Sequence, residues 1–126
     1  MVQHGTFYWN ELMTTDPEAA AGFFAELTGC RIDTMPMPDG TYRVMALGER
    51  MIGGIMAMPP TLPAGTPPHW FSYMAVDDVD ASCRRVRELR GKVLREPWDI
   101  PGVGRIAIVE DVTGAALGLI TPTAAG

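Results

Sequence analysis

Few side chains in this sequence have the capacity for chemistry. Glu11 sits in the aromatic stretch Phe7-Tyr8-Trp9-Asn10-Glu11, and His69 opens Trp70-Phe71-Ser72-Tyr73, while His4, Cys30 and Cys83 stand apart. In an extended segment alternate residues share a face, so Phe7, Trp9 and Glu11 form one row and His69, Phe71 and Tyr73 another. A carboxylate on an aromatic face has its charged form disfavoured, which moves it toward an acid–base range unless a cation lies close. Arg43 and Arg105 are the candidate cations. The preferred reading pairs Arg105 with Glu11 as a structural tie, with ligand binding and general-base action by Glu11 as alternatives. Arg105, beside Gly102-Val103-Gly104, could instead grip an anionic ligand. His69 suits a capping or rim contact, with hydrogen bonding to a ligand or proton transfer as its alternatives, and His4 reads as a surface residue. The two cysteines have no zinc spacing and no disulfide framework, so both read as structural thiols.

These residues must be placed by the elements around them. Residues 5–13 read as a strand running into Asp16, a helix N-cap followed by Pro17 at the first helical position, where a missing N–H costs nothing. Ala20, Phe23, Phe24 and Leu27 recur at helical spacing, and Gly29 is a natural terminator. Sliding the chain by 62 positions brings Asp16 onto Asp78, Glu18 onto Asp80, Ala19 onto Ala81, Glu26 onto Glu88, Leu27 onto Leu89 and Gly29 onto Gly91. The register continues through Gly40 on Gly102 and Arg43 on Arg105, which marks an internal duplication.

Each copy reads as βαβββ. Strands are expected at 31–37, 41–47 and 51–57, with a Pro38-Asp39-Gly40 turn, and again at 69–76, 92–98, 104–110 and 115–121, with the second helix at 78–90. Residues 1–4 and 123–126 are expected to be loose. Met58 to Pro68 holds five prolines and separates module 1 (about 5–58) from module 2 (about 69–122). The expected architecture is α+β: one domain over 5–122, with the two tandem modules forming an eight-stranded cup and inward strand residues lining a small-molecule cavity. Arg84, Arg85, Arg87 and Arg90 lie opposite the apolar line of Val79, Cys83, Val86 and Leu89 and read as a solvated helix face. The methionines in strand-like segments, Met35, Met37, Met45, Met56, Met58 and Met74, suit irregular core or an accommodating pocket.

Composition narrows the function classes. With 126 residues, 47% hydrophobic, the chain can bury one sizeable core. A net charge of −5 argues against a nucleic-acid partner. No apolar run approaches membrane-spanning length and no secretory layout opens the chain, so a cytoplasmic location without membrane association is expected.

The duplicated pattern resembles the vicinal oxygen chelate superfamily of glyoxalase I, extradiol dioxygenases, fosfomycin-modifying transferases and bleomycin-binding proteins. The segments Trp9 to Asp16, Pro68 to Tyr73, Val76 to Asp80, Pro101 to Arg105 and Asp111 to Ala115 are similar to a bacterial glyoxalase-like subgroup often labelled hydroxylases. In metal-using relatives, the resemblance implies ligands at four inward strand positions, which fall here on Trp9, Phe71, Ile55 and Gly118. None can bind a divalent ion, so the cup is expected to hold no metal and no cofactor. Phe7, Trp9, Glu11, Ile55, His69, Phe71, Tyr73, Arg105 and Gly118 are then the candidate ligand-binding residues, with Gly53 and Gly118 widening the cavity. Tyr8, Leu12, Trp70, Met74 and Val76 would face the helices. The favoured function is binding of a small aromatic or apolar ligand. The alternative is a metal-independent isomerase, lyase or hydrolase using Glu11 or His69, and a metal-dependent glyoxalase or dioxygenase conflicts with the missing donors. The resemblance also implies a homodimer.

Overall fold

The computed structural model of the chain describes residues 2–37 and 40–123. Eight strands and two helices follow in the order β1 (Phe7–Thr14), α1 (Pro17–Thr28), β2 (Arg31–Met37), β3 (Gly40–Leu47), β4 (Arg50–Ala57), β5 (His69–Ala75), α2 (Val79–Glu88), β6 (Lys92–Ile100), β7 (Gly104–Glu110) and β8 (Ala116–Pro122). This is the α+β, twice-repeated βαβββ order that the duplication implies. Pro38 and Asp39 of the expected turn lie outside the described residues, as do Met1 and residues 124–126.

The chain forms two compact units, residues 9–71 and residues 72–126 with 1–8. The divisions fall inside β1 and β5, and the proline-rich segment 58–68 lies within the first unit. In that unit β2 and β3 pair antiparallel, β3 and β4 antiparallel, and β4 and β1 parallel. The second unit repeats the scheme, with β5 parallel to β8, β8 antiparallel to β7 and β7 antiparallel to β6. Within their units β2 and β6 each pair on one side only and carry Pro36 and Pro97, where a missing N–H interrupts the least.

Both helices start as their sequences dictate. The Asp16 carboxylate accepts from the Ala19 N–H at 3.0 Å and Asp78 from the Ala81 N–H at 3.1 Å. Their ends differ. Gly29 takes the left-handed conformation after α1 (φ 75°), but after α2 that role falls to Arg90 (φ 70°) rather than to the expected Gly91. Gly91 is needed for another reason: a Cβ there would lie 2.7 Å from the Glu110 carbonyl oxygen, so the residue must be bare for the chain to enter β6 beside β7.

Each helix covers one face of its own sheet. Leu12, Ala21, Cys30, Met45 and Ile55 form the first core, joined by Ala20, Phe24, Ile32 and Ile52. Val76, Val79, Cys83, Ala107, Val109 and Leu119 form the second, joined by Met74, Val86, Val93 and Leu117. Burying such side chains stabilises by roughly 1.5–3 kcal/mol each. Since neighbours along a strand alternate, these cores also define the opposite, helix-free faces.

The start of the chain is a correction to the expected loose segment. The Gly5 N–H donates to the Ala75 carbonyl at 2.7 Å, and His4 Nδ1 accepts from the Asp77 N–H at 2.9 Å. His4 thus satisfies a backbone donor just ahead of α2.

Candidate functional site

On the helix-free face of the first unit, Glu11 sits beside Gly54 in the parallel β1–β4 pair, while the next pair, Leu12 and Ile55, turns to the helix side. Alternation puts Trp9 and Met13 with Glu11, and Met56 with Gly54. Across β3 and β2 the register adds Val44 beside Gly54, then Tyr42 opposite Met35 and Asp33 opposite Val44. Two carboxylates, two aromatic rings and several methionines therefore share one face.

A hydrogen-bonded relay organises it. The Tyr42 hydroxyl donates to Glu11 Oε2 at 2.8 Å and accepts from Trp9 Nε1–H at 3.0 Å. Glu11 is only 8% exposed, and the phenol supplies one of the hydrogen bonds that a buried carboxylate requires. Gly54 makes this arrangement possible, because a Cβ there would lie 1.6 Å from Tyr42 Oη. The ring occupies the space that any other residue would fill. Beside it, Met37, Gly40, Thr41, Tyr42 and Met56 line a hollow of about 110 Å³. Polarisable thioethers and a phenol make an adaptable apolar wall next to a polar group.

The second unit repeats the device with different chemistry. Tyr73 pairs in register with Gly118, and a Cβ on Gly118 would lie 2.1 Å from the Tyr73 ring. Gly118 therefore does not widen a cavity as expected, since the ring of Tyr73 fills the space above it. On the same face Arg95 and Trp98 register with Ile108 and Ile106, and the Arg95 guanidinium carbon stacks 3.6 Å from the Trp98 ring centroid.

Two further expectations are corrected. Arg105 does not pair with Glu11. It lies on the helix side, where it holds Asp80 of α2 at 2.8 and 3.1 Å and Asp99 at 3.2 Å. The Asp80 hydrogen bond, and then that of Asp99, raises the Arg105 pKa further above its usual range, while Arg105 holds the Asp80 carboxyl below the usual carboxylate range. The guanidinium is thus committed to Asp80, which fixes α2 on the sheet, and to Asp99 of the neighbouring β6, although Arg105 borders a surface hollow of about 340 Å³ with Asp99, Gly102 and Thr121. Ile55 is likewise no cavity residue. It is fully enclosed in the helix-side core, and the open-face position on β4 belongs to Gly54.

Of the remaining candidates, Phe7 is 64% exposed. His69 is partly buried at the start of β5, its Nδ1 2.9 Å from the Pro67 carbonyl, so the ring fastens the end of the proline-rich segment. Alternation keeps Phe71 on the Tyr73 face, and Trp70 meets α1 as expected, edge-on to Phe24 at 5.5 Å. Sequence reasoning missed Tyr42 and Gly54. The paired glycines 53 and 54 in a strand, which cost β stability unless something approaches closely, were the available signal.

The donor set can be tested against a metal ion. The open-face positions hold Trp9, Gly54 and Phe71 in the first unit and Gly118 in the second, none of them a ligand for a divalent ion. Among the described residues no three histidine, cysteine, aspartate or glutamate side chains converge as an ion would require. These residues do not fit a divalent metal. Among the described residues no helix is long and apolar enough to cross a membrane.

Comparison with known proteins bears on the same residues. The profile described as the Glyoxalase/Bleomycin resistance protein/Dioxygenase superfamily matches residues 6–119. The chain is 40% identical over 119 residues to CFP32 of Mycobacterium tuberculosis, which carries a provisional glyoxylase name; the match takes in 94% of this chain and 44% of that protein. It is 29% identical over 120 residues to the anthracycline biosynthesis protein DnrV of Streptomyces peucetius, with 86% of this chain and 44% of that protein matched. The chain thus spans less than half the length of either relative. Among solved structures, methylmalonyl-CoA epimerase from Mycobacterium tuberculosis superposes with a TM-score of 0.68 at 18% identity, covering 98% of this chain and 93% of that one. At that identity the likeness speaks to the fold.

Proposed function

Because the chain belongs to the Glyoxalase/Bleomycin resistance protein/Dioxygenase superfamily, we propose that it is metal-free and binds a small aromatic or apolar organic ligand on the helix-free face of its first unit. The Trp9–Tyr42–Glu11 relay over Gly54 carries this reading. It presents an indole, a phenol and a carboxylate in fixed relation beside a methionine-lined hollow, which suits a flat ligand with a hydrogen-bonding edge. The anthracycline-related name of one relative supports a planar polycyclic compound. On this reading the protein acts in the cytoplasm as a homodimer without nucleic-acid or membrane partners.

Glu11 also supports a second reading. A buried carboxylate whose hydrogen bond comes from a tyrosine could take a proton from an activated carbon of a bound compound, as in a metal-independent isomerase, lyase or hydrolase. Titration with an anthraquinone probe, followed by tryptophan fluorescence and by thermal shift, tests binding. Trp9→Ala is expected to weaken the probe by at least ~10-fold. Glu11→Ala should change affinity only a few fold if the protein only binds, and should abolish turnover if Glu11 is a base. Stoichiometric zinc, iron or manganese in the purified protein would overturn the metal-free assignment.

A further inference from the structure

We propose that the helix-free face of the second unit holds a site of its own for an aryl carboxylate, built on Arg95 and Trp98 and independent of the binding face assigned to the first unit. Arg95 and Trp98 are three residues apart in β6, so a regular strand would send them to opposite faces. Register shifts between Val93 and Arg95 and between Arg95 and Trp98 undo that alternation and set Arg95 opposite Ile108 and Trp98 opposite Ile106. The guanidinium carbon then lies 3.6 Å from the centre of the indole. Stacking engages one flat side of the guanidinium and leaves the N–H groups, which lie in its plane, for an acceptor. Arg31, Arg85, Arg87 and Arg105 are each tied to a carboxylate. Arg95 is exposed and, among the described residues, forms no ion pair. The surroundings are apolar: Ile106 and Tyr73 are buried and Ile108 is partly buried. Glu110, further along the same face of β7, stands in register with Lys92 rather than with Arg95.

The duplication supplies an internal control. Under the 62-residue offset Arg95 falls on Asp33, which shares the first unit's helix-free face and is held by Arg31 at 2.8 Å, and Trp98 falls on Pro36. Tyr73 falls on Glu11 in the same way. The equivalent strand β2 pairs with β3 in continuous register, so the shifts that bring arginine and indole together belong to the second copy alone. Where the first face carries two carboxylates, the second carries a phenol and a guanidinium, and its ligand should bear the negative charge that the first face repels. A carboxylate conjugated to a ring matches both halves of the pair. Its two oxygens can accept parallel N–H bonds from a guanidinium already held flat by the indole, while the ring lies against Trp98 and Ile108.

Equilibrium dialysis of the intact chain with 2-naphthoate, and with its neutral isostere 2-naphthamide, tests this. Naphthoate is expected to bind one per chain and at least ~10-fold more tightly than the amide. Arg95→Gln should remove that preference by weakening naphthoate at least ~10-fold, and Trp98→Leu should weaken it severalfold. Arg95→Lys should restore only part of the affinity, because an ammonium keeps the charge and loses the paired donors. Arg84→Gln, the same change of charge on the outer face of α2, should leave naphthoate binding unchanged. Both β6 substitutions are at exposed or half-buried positions, and circular dichroism verifies that the variants fold. Equal affinity for acid and amide, or binding that survives Arg95→Gln, overturns the site. If naphthoate survives Arg95→Gln but is lost in Trp9→Ala, it occupies the first unit, and this site falls while the earlier reading stands.

Discussion

Replacing Gly54 by alanine asks whether the Tyr42 relay depends on one missing methyl group. The added Cβ would stand 1.6 Å from Tyr42 Oη and 2.4 Å from its ring carbon Cζ, so the ring must leave. Its departure breaks the 2.8 Å bond to the Glu11 carboxylate and the 3.0 Å bond from Trp9. A hydrogen bond to a charged group contributes about 1.5–3 kcal/mol and a neutral one about 0.5–1.5 kcal/mol. Their sum predicts a destabilisation of about 2–4.5 kcal/mol, or roughly 10 °C in Tm for a chain of this length. Urea unfolding and calorimetry measure it directly. The decisive comparison is a double-mutant cycle. With Tyr42→Ala already present the ring is gone, and adding Gly54→Ala should then cost almost nothing. Full additivity of the two substitutions would refute the reasoning, because it would mean that Gly54 is needed for its own backbone rather than for the tyrosine.

Three other outcomes follow from single groups. The Arg105 hydrogen bond depresses the Asp80 pKa, so the ion pair contributes stability that is present above the ordinary carboxylate pKa and lost as pH falls through the depressed one; Tm should drop as pH falls below about 4, and less steeply in Asp80→Asn. Burial, the largest cause, raises the Cys83 pKa, and the side chain is 2% exposed, so iodoacetamide at neutral pH should spare Cys83 in the native protein and label it in guanidinium, as mass spectrometry of peptides would report. Arg90 holds a left-handed conformation at a cost glycine does not bear, so Arg90→Gly should raise stability by about 0.5–1 kcal/mol in urea melts.

What was legible in the sequence is what short-range chemistry writes. Asp16 and Asp78 as caps, Gly29 as terminator, and the strand limits Arg31–Met37 and Gly104–Glu110 follow from local patterns alone, and the 62-residue echo supplied the repeated topology. The site was legible in part. Alternation put Trp9 and Glu11 on a face apart from Leu12, but it cannot say which residue a neighbouring strand sets beside them. That depends on register, and a one-residue difference on β4 exchanges Ile55 for Gly54 and turns a supposed cavity residue into core. The partner of Arg105 was hidden for a related reason. A guanidinium reaches several ångströms either way, and only the packing of α2 on β7 decides that Asp80 receives it.

The two units use one device to different ends, and that difference offers a test of the proposed binding face. Glu11 and Tyr73 are equivalent under the 62-residue offset, and each lies in register beside a glycine of its closing strand, Gly54 or Gly118. In the second unit the phenol at that position folds onto the glycine itself. In the first the position keeps a carboxylate, and a phenol delivered from β3 takes the glycine and hydrogen-bonds to it. If recognition uses the Tyr42 hydroxyl, then removing one phenol oxygen at a time separates the units. Tyr42→Phe should weaken the anthraquinone probe by about 10-fold, the scale of one hydrogen bond at a charged site, whereas Tyr73→Phe should change it less than about threefold. Fluorescence titration of the two variants at matched pH decides it, and the opposite order would move the binding face to the second unit.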